Sequence, residues 1–291
     1  MKLGIVLLNY KDYMTTTDAV NQMCNLPIDY VVVVDNASPN NSADVLSKLQ
    51  HEKLTFIVSK KNNGYAAGNN IGIRYLLENT DCDIIGIVNP DVILDKNFIL
   101  QIKEDFINSD FSVLTGVQYL PSQHISDRAF WPLLSKADVL RTNSHIINRL
   151  FGRSNKSYIQ KKLSNKDPLV EVGTVEGCCF FIRRDDLKDI GLFDESTFLF
   201  YEEDILAHKL AYFGKKIGID LRLSFLHNHS KTIKTVYSQY QMDKVLFYSR
   251  GIFFKKYIAQ NIGDKILYLF SEVVFYLERP LWFFYKSFFT K

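Results

Sequence analysis

The chain has 291 residues, 47% of them hydrophobic, and a formal net charge of +3 at pH 7. This length is sufficient to bury one large core, and so mild a positive charge argues against nucleic acid as the main partner. The four cysteines, Cys24, Cys82, Cys178 and Cys179, show no C-x-x-C spacing. We therefore expect reduced, buried thiols and a cytosolic protein.

The first ninety residues alternate short apolar runs with helical patterns. Residues 3–8 form too short a run for a signal peptide and fit a first strand, and Asp12 can cap a helix that reaches about residue 26. Further strands are predicted at residues 30–34, 54–58 and 84–88, with a helix near 42–50 and another that ends near 78. This rhythm predicts a doubly wound α/β domain with parallel strands.

Polar residues follow the second and fourth strands at their carboxyl ends, where open α/β sheets bind ligands. Asp35 can accept hydrogen bonds from a ribose or a base, or it can close its strand with an Asx turn. Asn89-Pro90-Asp91 ends the fourth strand, and Pro90 gives the Asp91 side chain a defined direction. A carboxylate held there can bind a hard cation, although an ordinary turn explains the same residues equally well.

The segment 62–70 reads NNGYAAGNN and is expected to be a loop that runs into a helix. Exposed backbone N–H groups and the positive end of a helix dipole at such a place suit a phosphate or the polar edge of a nucleotide. The sequence has neither a dinucleotide fingerprint after the first strand nor a Walker lysine motif. This counts against dinucleotide-binding and P-loop proteins.

Residues 121–170 interrupt the alternation and form the basic block of the chain. A solvated insertion explains the charge, and so does a lid that attracts a pyrophosphate-linked lipid or an anionic glycan. Phe130 and Trp131 in this block can stack against a sugar or anchor the insertion. The basic residues are Arg128, Lys136, Arg141, Arg149, Arg153, Lys156, Lys161, Lys162 and Lys166, against Asp127, Asp138 and Asp167.

Three further patterns carry chemically useful groups in the second half of the chain. Gly177 precedes a predicted strand at 178–182 and permits close approach of the backbone to a ligand. Glu202, Glu203 and Asp204 open a helix, and capping explains only one or two of these carboxylates. His227 and His229 follow a predicted strand at 217–225 and would point the same way on a strand, which suits a shared site.

Five motifs, in this order and spacing, resemble the family 2 glycosyltransferases of GT-A fold. The closest resemblance is to the bacterial rhamnosyltransferase-like group that builds cell-surface polysaccharides. It covers about residues 2–257. The motifs are DNAS at 35–38, NNGYAAGNN at 62–70, NPD at 89–91, GCCFFIRR at 177–184 and FYEED at 200–204.

The resemblance implies an inverting, metal-dependent enzyme that moves a sugar from a nucleotide diphosphate to a glycan or lipid-linked glycan acceptor. The implied donors are dTDP-rhamnose and UDP-hexoses. Asp204 is the implied general base, with Glu203 as the alternative, and Asp91 with His229, or with His227 in its place, is implied to bind Mg2+ or Mn2+. The implied contacts to the nucleotide sugar are Asn9, Asp35, Asn63, Gly64, Gly68, Asn89, Asp91 and Gly177.

One departure and two alternatives bear on this interpretation. The general GT-A pattern is Asp-x-Asp, and Asn89 stands at the first place, so we expect a modest metal affinity. A sugar nucleotidyltransferase would have a basic, glycine-rich loop after strand one, where this chain reads NYKD. A non-catalytic nucleotide-sugar-binding scaffold would not need the acidic triplet.

Residues 236–291 are expected to form a helical extension to a GT-A domain at 1–235. Apolar residues recur at helical spacing between 266 and 277, and residues 281–289 read LWFFYKSFF. Aromatic density flanked by basic residues predicts helices at a membrane interface, and packing on a second subunit explains it equally well. We therefore expect a cytoplasmic protein with peripheral contact to the inner face of the cell membrane, or a homodimer.

Overall fold

The computed structural model describes residues 1–152, 154–228 and 239–289. Two residues named above, His229 and Arg153, lie outside these ranges. The predicted domain boundary near residue 235 lies outside them as well. The four cysteines are free and buried, as expected.

Nine of the described strands form one mixed sheet, and two more form a separate antiparallel pair. The pair consists of β7 (Phe130–Trp131) and β9 (Thr174–Val175). The strands of the large sheet are β1 (Leu3–Asn9), β2 (Tyr30–Asp35), β3 (Leu54–Val58), β4 (Ile84–Val88), β5 (Val92–Ile93), β6 (Val113–Tyr119), β8 (Leu169–Val172), β10 (Cys179–Arg183) and β11 (Ile217–His227).

Helices cover both faces of the sheet and fill the insertion and the C-terminal region. The Asp12 side chain accepts a hydrogen bond from the Thr15 amide and caps the first helix, as predicted. The helices are α1 (Tyr13–Cys24), α2 (Ser42–Leu46), α3 (Tyr65–Asn79), α4 (Lys96–Asn108), α5 (Lys136–Thr142), α6 (His145–Phe151), α7 (Asn155–Leu163), α8 (Arg184–Asp189), α9 (Glu202–Tyr212), α10 (Gln239–Phe253), a π-helix (Phe254–Ile258) and α11 (Ile262–Phe289). A search of the described helices finds none with the length and apolarity that crossing a membrane requires.

The direction of the strands determines which residues meet. The order is β3-β2-β1-β4-β10-β6-β11-β5, and the first four strands are parallel, as predicted. Strand β10 is antiparallel to both β4 and β6, whereas β11 is parallel to β6. The carboxyl ends of β1, β2, β4 and β11 therefore lie at the same end of the sheet as the amino end of β10. We call this border, where the strands terminate, the site edge.

The two faces of the sheet bury separate hydrophobic clusters. Val6 and Val32 belong to the cluster that includes α3 and α9, whereas Ile5 and Val33 belong to the one that includes α1 and α4. This alternation follows from the two-residue period of a strand. Both faces are covered, which explains why β4 is a continuous apolar run.

A third cluster joins the C-terminal helices to the rest of the molecule. Phe253, Phe254 and Tyr268 are fully buried against Val139 of α5 and Ile205 of α9. The helix that carries the acidic triplet is therefore packed against the C-terminal region.

Candidate active site

Asn9 and Asp35 lie side by side at the site edge, at the ends of β1 and β2. The Asn9 side-chain amide donates to Asp35 Oδ1 at 2.6 Å, and the Ser38 backbone amide donates to Asp35 Oδ2 at 3.0 Å. Asp35 is completely buried. The Asp35 carboxylate thus closes the turn after β2 through the amide three residues along the chain, which is not the Asx turn that the sequence left open. Contact of Asn9 and Asp35 with a nucleotide stays a prediction.

The helix α3 begins at Tyr65, inside the segment predicted as loop. The Gly64 amide donates to Asn62 Oδ1 at 2.9 Å, and the Tyr65 amide donates to the Phe198 carbonyl at 2.9 Å. The prediction of exposed donors is wrong for these two amides, because the protein itself provides their acceptors. Asn63 is exposed on the same loop, and its contact with the donor stays a prediction.

In this segment, Gly64 and Gly68 stand at positions that exclude a side chain, each for a different structural reason. Gly64 has φ of 100°, and a Cβ there would lie 2.1 Å from the Phe198 carbonyl oxygen. Gly68 lies in α3, where a Cβ would lie 2.6 Å from the Leu8 side chain. Backbone conformation explains the first glycine and helix–sheet packing the second. Contact of either with a donor stays a prediction.

Asp91 and His227 meet at the site edge. The Asp91 Oδ1 and His227 Nε2 atoms are 3.2 Å apart. Strand β11 continues to His227, two residues past its predicted end, and brings the imidazole to this position. The other ring nitrogen lies 3.0 Å from Gln118 Nε2, which fixes the orientation of the ring.

The groups around His227 have the chemistry of a site for a hard cation. Glu176, Cys178 and His227 place their ligand atoms within 4.8 Å of one another. Glu176 Oε2 is buried and has no hydrogen-bond partner among the described residues. Burial raises the pKa of the Cys178 thiol well above its ordinary value, and a thiol is a poor ligand for a hard cation. Within this cluster the Glu176 carboxylate and the His227 imidazole are ligands that suit Mn2+ or Mg2+, and Asp91, which is not one of the three, lies 3.2 Å from the His227 ring.

The acidic triplet begins α9 after a strained turn. Phe200 and Tyr201 have φ of 73° and 69°, a conformation rarely adopted by residues with side chains. Glu202 is buried, and burial beside Glu203 raises its pKa well above the ordinary value. Burial thus favours the neutral form of Glu202.

Asp204 is buried and held by one defined hydrogen bond. Trp131 Nε1 donates to Asp204 Oδ1 at 2.8 Å. Burial raises the pKa of Asp204 to about 7, even though the Trp131 hydrogen bond acts in the opposite direction. A carboxylate with this pKa is suited to accept a proton near neutral pH.

Gly177 connects the acidic triplet to the Asn89-Pro90-Asp91 corner. Its amide donates to Glu203 Oε1 at 3.2 Å, and its carbonyl accepts from the Tyr65 hydroxyl at 2.6 Å. The same hydroxyl lies 3.2 Å from Asn89 Oδ1. A Cβ on Gly177 would lie 2.8 Å from Glu203 Oε1. The glycine therefore permits close approach of the carboxylate, and its contact with a donor stays a prediction.

Several residues of the site were not selected from the sequence as site residues. Trp131, which the sequence left open between sugar stacking and anchoring, is the hydrogen-bond donor to Asp204, while its neighbour Phe130 is fully buried and anchors the insertion. The Arg128 guanidinium carbon lies 5.8 Å from the Trp131 ring centre. Beside Arg128, a cavity of 920 Å³ opens between α7 and the segment that links β6 to β7.

Comparison with solved structures shows the GT-A fold predicted from the sequence. S. aureus TarS 1–349 in complex with UDP-GlcNAc superposes with a TM-score of 0.56 at 13% identity, covering 99% of this chain and 73% of TarS 1–349. The mannosyltransferase PcManGT from Pyrobaculum calidifontis, in complex with GDP-Man and Mn2+, superposes with a TM-score of 0.57 at 11% identity, covering 96% of this chain and 75% of PcManGT.

A sequence relative has a described role in glycan synthesis. The low-salt glycan biosynthesis hexosyltransferase Agl10 of Haloferax volcanii is 25% identical over 240 residues, which are 82% of this chain and 71% of Agl10. The model for glycosyl transferase family 2 matches residues 5–191. That match includes Asp35, the 62–70 segment, Asp91 and Gly177, and it ends before the acidic triplet. On the strength of this match, which spans more than half of its length, the chain belongs to glycosyl transferase family 2.

Proposed function

We propose that this enzyme is an inverting, metal-dependent hexosyltransferase that takes a sugar from a nucleotide diphosphate. The acceptor we propose is a glycan or a lipid-linked glycan in cell-surface polysaccharide synthesis. The observation that carries this proposal is the Gly177 link, in which one residue bonds both Glu203 and the Tyr65 hydroxyl beside Asn89. This link supports the proposal because it joins Glu203 of the acidic triplet to Asn89 of the Asn89-Pro90-Asp91 corner through Gly177 and Tyr65.

In the proposed reaction, Asp204 accepts the proton of an acceptor hydroxyl. The hydroxyl oxygen forms a bond to the anomeric carbon while the bond from that carbon to the diphosphate oxygen breaks. One displacement of this kind inverts the anomeric configuration. The Trp131 hydrogen bond fixes the Asp204 carboxylate, and its pKa of about 7 leaves enough basic form at neutral pH for the step.

Asp91, Glu176 and His227 are the described residues that would hold the cation. Bound there, Mn2+ or Mg2+ would neutralise the diphosphate charge that develops as the glycosidic bond breaks. The predicted ligand His229 lies outside the described residues, so His227 is the histidine that the contact with Asp91 supports.

The donor is proposed by analogy and by resemblance. TarS 1–349 has been solved with UDP-GlcNAc and PcManGT with GDP-Man and Mn2+. Among sugar nucleotides, we propose dTDP-rhamnose or a UDP-hexose for this chain. Membership of the rhamnosyltransferase-like group stays a prediction.

The acceptor is proposed to enter from the side of the basic insertion. The 920 Å³ cavity beside Arg128 lies in this insertion and is lined by apolar side chains and by polar ones, which include Gln123, Gln160 and the Lys156–Asp127 ion pair. Arg128 is close enough to Asp204 to lower the pKa of that carboxyl. An anionic or hydroxyl-rich acceptor is compatible with these groups.

Calorimetric titration tests the donor site. The purified protein is titrated with UDP, dTDP, GDP and CMP, each with and without Mn2+, together with the Asp91→Ala variant. We expect one nucleotide to bind in a metal-dependent way, and we expect at least about a tenfold loss of affinity in the variant, because a cation ligand is removed.

The Asp185→Ala variant serves as the control, since this carboxylate is almost fully exposed on α8 and remote from the site edge. It should bind like the wild type. Binding of no nucleotide under any condition would contradict the proposal, as would an Asp91→Ala variant that keeps wild-type metal-dependent affinity.

A further inference from the structure

The C-terminal helix α11 has one face fixed to the body of the protein. Its Tyr268 ring stacks on Phe254 with ring centres 4.5 Å apart. Polar contacts to α5 and to the α5–α6 connection continue along the same face. They are Lys136 with Asp264 at 2.6 Å, Asn143 with Ser271 at 2.8 Å and Ser144 with Glu278 at 2.7 Å.

The opposite face of α11 is an exposed apolar stripe. On a helix of 3.6 residues per turn its members fall within about a third of the circumference. Phe270 is 66% exposed and Leu277 is 69% exposed. The helix is 28 residues long, which corresponds to about 42 Å. The stripe includes Ile262, Ile266, Phe270, Val273, Tyr276 and Leu277.

Helix α6 contacts α11 and exposes apolar side chains of its own. It packs beside α11, and Ile146, Ile147, Leu150 and Phe151 are all exposed, the last two by 69% each. Isolated exposed apolar residues are common, but an exposed patch formed by two adjacent helices indicates an interaction surface. We call this surface the α6–α11 face.

Basic side chains lie on both helices of this surface. Arg149 is exposed on α6, and Lys265 is exposed on α11 at the border of the stripe. Basic residues beside an apolar helix face are complementary to anionic lipid headgroups, which attract each cation near the membrane surface.

We propose that the α6–α11 face docks on the surface of a bilayer that contains anionic lipids. The apolar stripe of α11 enters the boundary between headgroups and acyl chains, and Arg149 and Lys265 lie near the lipid phosphates. This inference rests on the proposed function and extends it. A lipid-linked acceptor is presented at a membrane surface, so docking there would bring the enzyme to its acceptor.

A second copy of the chain is a less suitable occupant of this face. In a two-fold symmetric dimer the same patch faces itself. Arg149 and Lys265 of the two copies would then be brought close together, and the repulsion would oppose association. An anionic bilayer satisfies both the apolar and the charged part of the surface.

The fixed face of α11, opposite the stripe, is connected to the turn before α9 by a short series of contacts. Asn143, which bonds Ser271 of α11, accepts a hydrogen bond from Arg250 at 2.5 Å. Arg250 also donates to the Tyr201 hydroxyl at 3.1 Å, and Tyr201 immediately precedes the acidic triplet. These contacts hold α11 to the body of the protein and leave its apolar stripe facing outward.

Vesicle flotation of the full chain, without donor or metal, tests the inference. We expect the protein to float with vesicles of equal parts phosphatidylcholine and phosphatidylglycerol. Pure phosphatidylcholine or high salt should weaken binding about tenfold or more, because the charge attraction is lost or screened. The double variant Phe270→Glu/Leu277→Glu should also bind the anionic vesicles about tenfold or more weakly, because it places charge in the stripe.

The matched control is Met14→Glu/Ile107→Glu, which alters two comparably exposed apolar residues on α1 and α4. It should float like the wild type. Failure of the wild type to float with anionic vesicles would overturn the inference, as would a stripe variant that floats normally. A dimer in sedimentation velocity that the stripe variant dissociates would also overturn it. Nucleotide binding is measured on the same samples, so loss of flotation with intact nucleotide binding leaves the proposed function standing.

Discussion

Asp204 is buried and accepts a hydrogen bond from Trp131, a combination that suits its proposed role as the general base. The bond from Trp131 favours the ionised form, whereas burial disfavours it more strongly and raises the pKa to about 7. Ionisation of this buried carboxylate therefore lowers the stability of the folded protein. Such a cost is typical of a group retained for chemistry.

Asp204 should make the stability of the protein depend on pH. Its pKa is about 7 in the folded chain and near the ordinary aspartate value when unfolded. Between these two pKa values the folded state binds the extra proton, so this contribution to stability falls as pH rises from about 4 to about 7. The Asn side chain of Asp204→Asn cannot ionise. The free energy of unfolding of this variant, measured relative to that of the wild type, should therefore be higher at pH 8 than at pH 4 by about 1 to 4 kcal/mol.

Urea unfolding of the two proteins at pH 4 and pH 8 measures this difference. The Asp185→Asn variant should show no such change, because Asp185 is exposed. An Asp204→Asn gain that is the same at both pH values would show that Asp204 does not titrate as described.

The sequence identified Asp204 but not its partner. Three consecutive carboxylates at a helix start exceed what capping requires, and that excess is visible in the sequence. Trp131 is 73 residues away, and its contact arises only when the β7–β9 pair folds beside α9. Glu176 was missed for a similar reason, since a single glutamate before a strand carries no local pattern.

At the scale of elements, the turn before α9 and the start of α3 are in contact, and each restricts the backbone conformation of the other. The Phe198 carbonyl accepts the Tyr65 amide, and it lies where a side chain at position 64 would have to be. The strained Phe200 and Tyr201 follow directly. The loop predicted at 62–70 thus ends at Tyr65, and its first amides are accepted by the Asn62 side chain and the Phe198 carbonyl.

Gly64→Ala should destabilise the protein and weaken nucleotide binding. The φ of 100° is unfavourable for alanine, and the added Cβ would overlap the Phe198 carbonyl oxygen. We expect a loss of about 2 kcal/mol or more in the free energy of unfolding. Denaturant unfolding and nucleotide calorimetry measure the two effects.

Gly251 in α10 provides the matched control. A Cβ there meets no atom closer than 3.6 Å, and replacing a helical glycine with alanine stabilises by about 0.5–1 kcal/mol. Equal stability of Gly64→Ala and Gly251→Ala would refute this account of the turn.

At the scale of the whole molecule, the site depends on one reversed strand. The sequence predicted the parallel order of β1, β2, β3 and β4, because apolar runs and helices alternate there. It identified β10 as a strand but did not indicate its direction, which depends on the long insertion that precedes it. Antiparallel pairing with β4 brings Gly177 and Cys178 to the site edge. There Gly177 connects the acidic triplet to the Asn89-Pro90-Asp91 corner.

The C-terminal region shows a second limit of sequence reasoning. Helical spacing predicted a helix over residues 266–277 and a further segment at 281–289, and the structure joins both in one continuous helix, α11. Its polar face carries Asp264, Ser271 and Glu278, whose partners lie more than a hundred residues earlier in the insertion. Local periodicity cannot show that this helix is fixed to the body along one face.

The most direct test of the catalytic account compares the wild type with Asp204→Asn in two assays. Release of nucleoside diphosphate is measured for the sugar nucleotide that binds, with water as the only acceptor, and metal-dependent nucleotide binding is measured alongside. We predict unchanged binding in Asp204→Asn and at least about a hundredfold slower release, because the base is lost. Release at the wild-type rate in Asp204→Asn would contradict the assignment of Asp204 as the base.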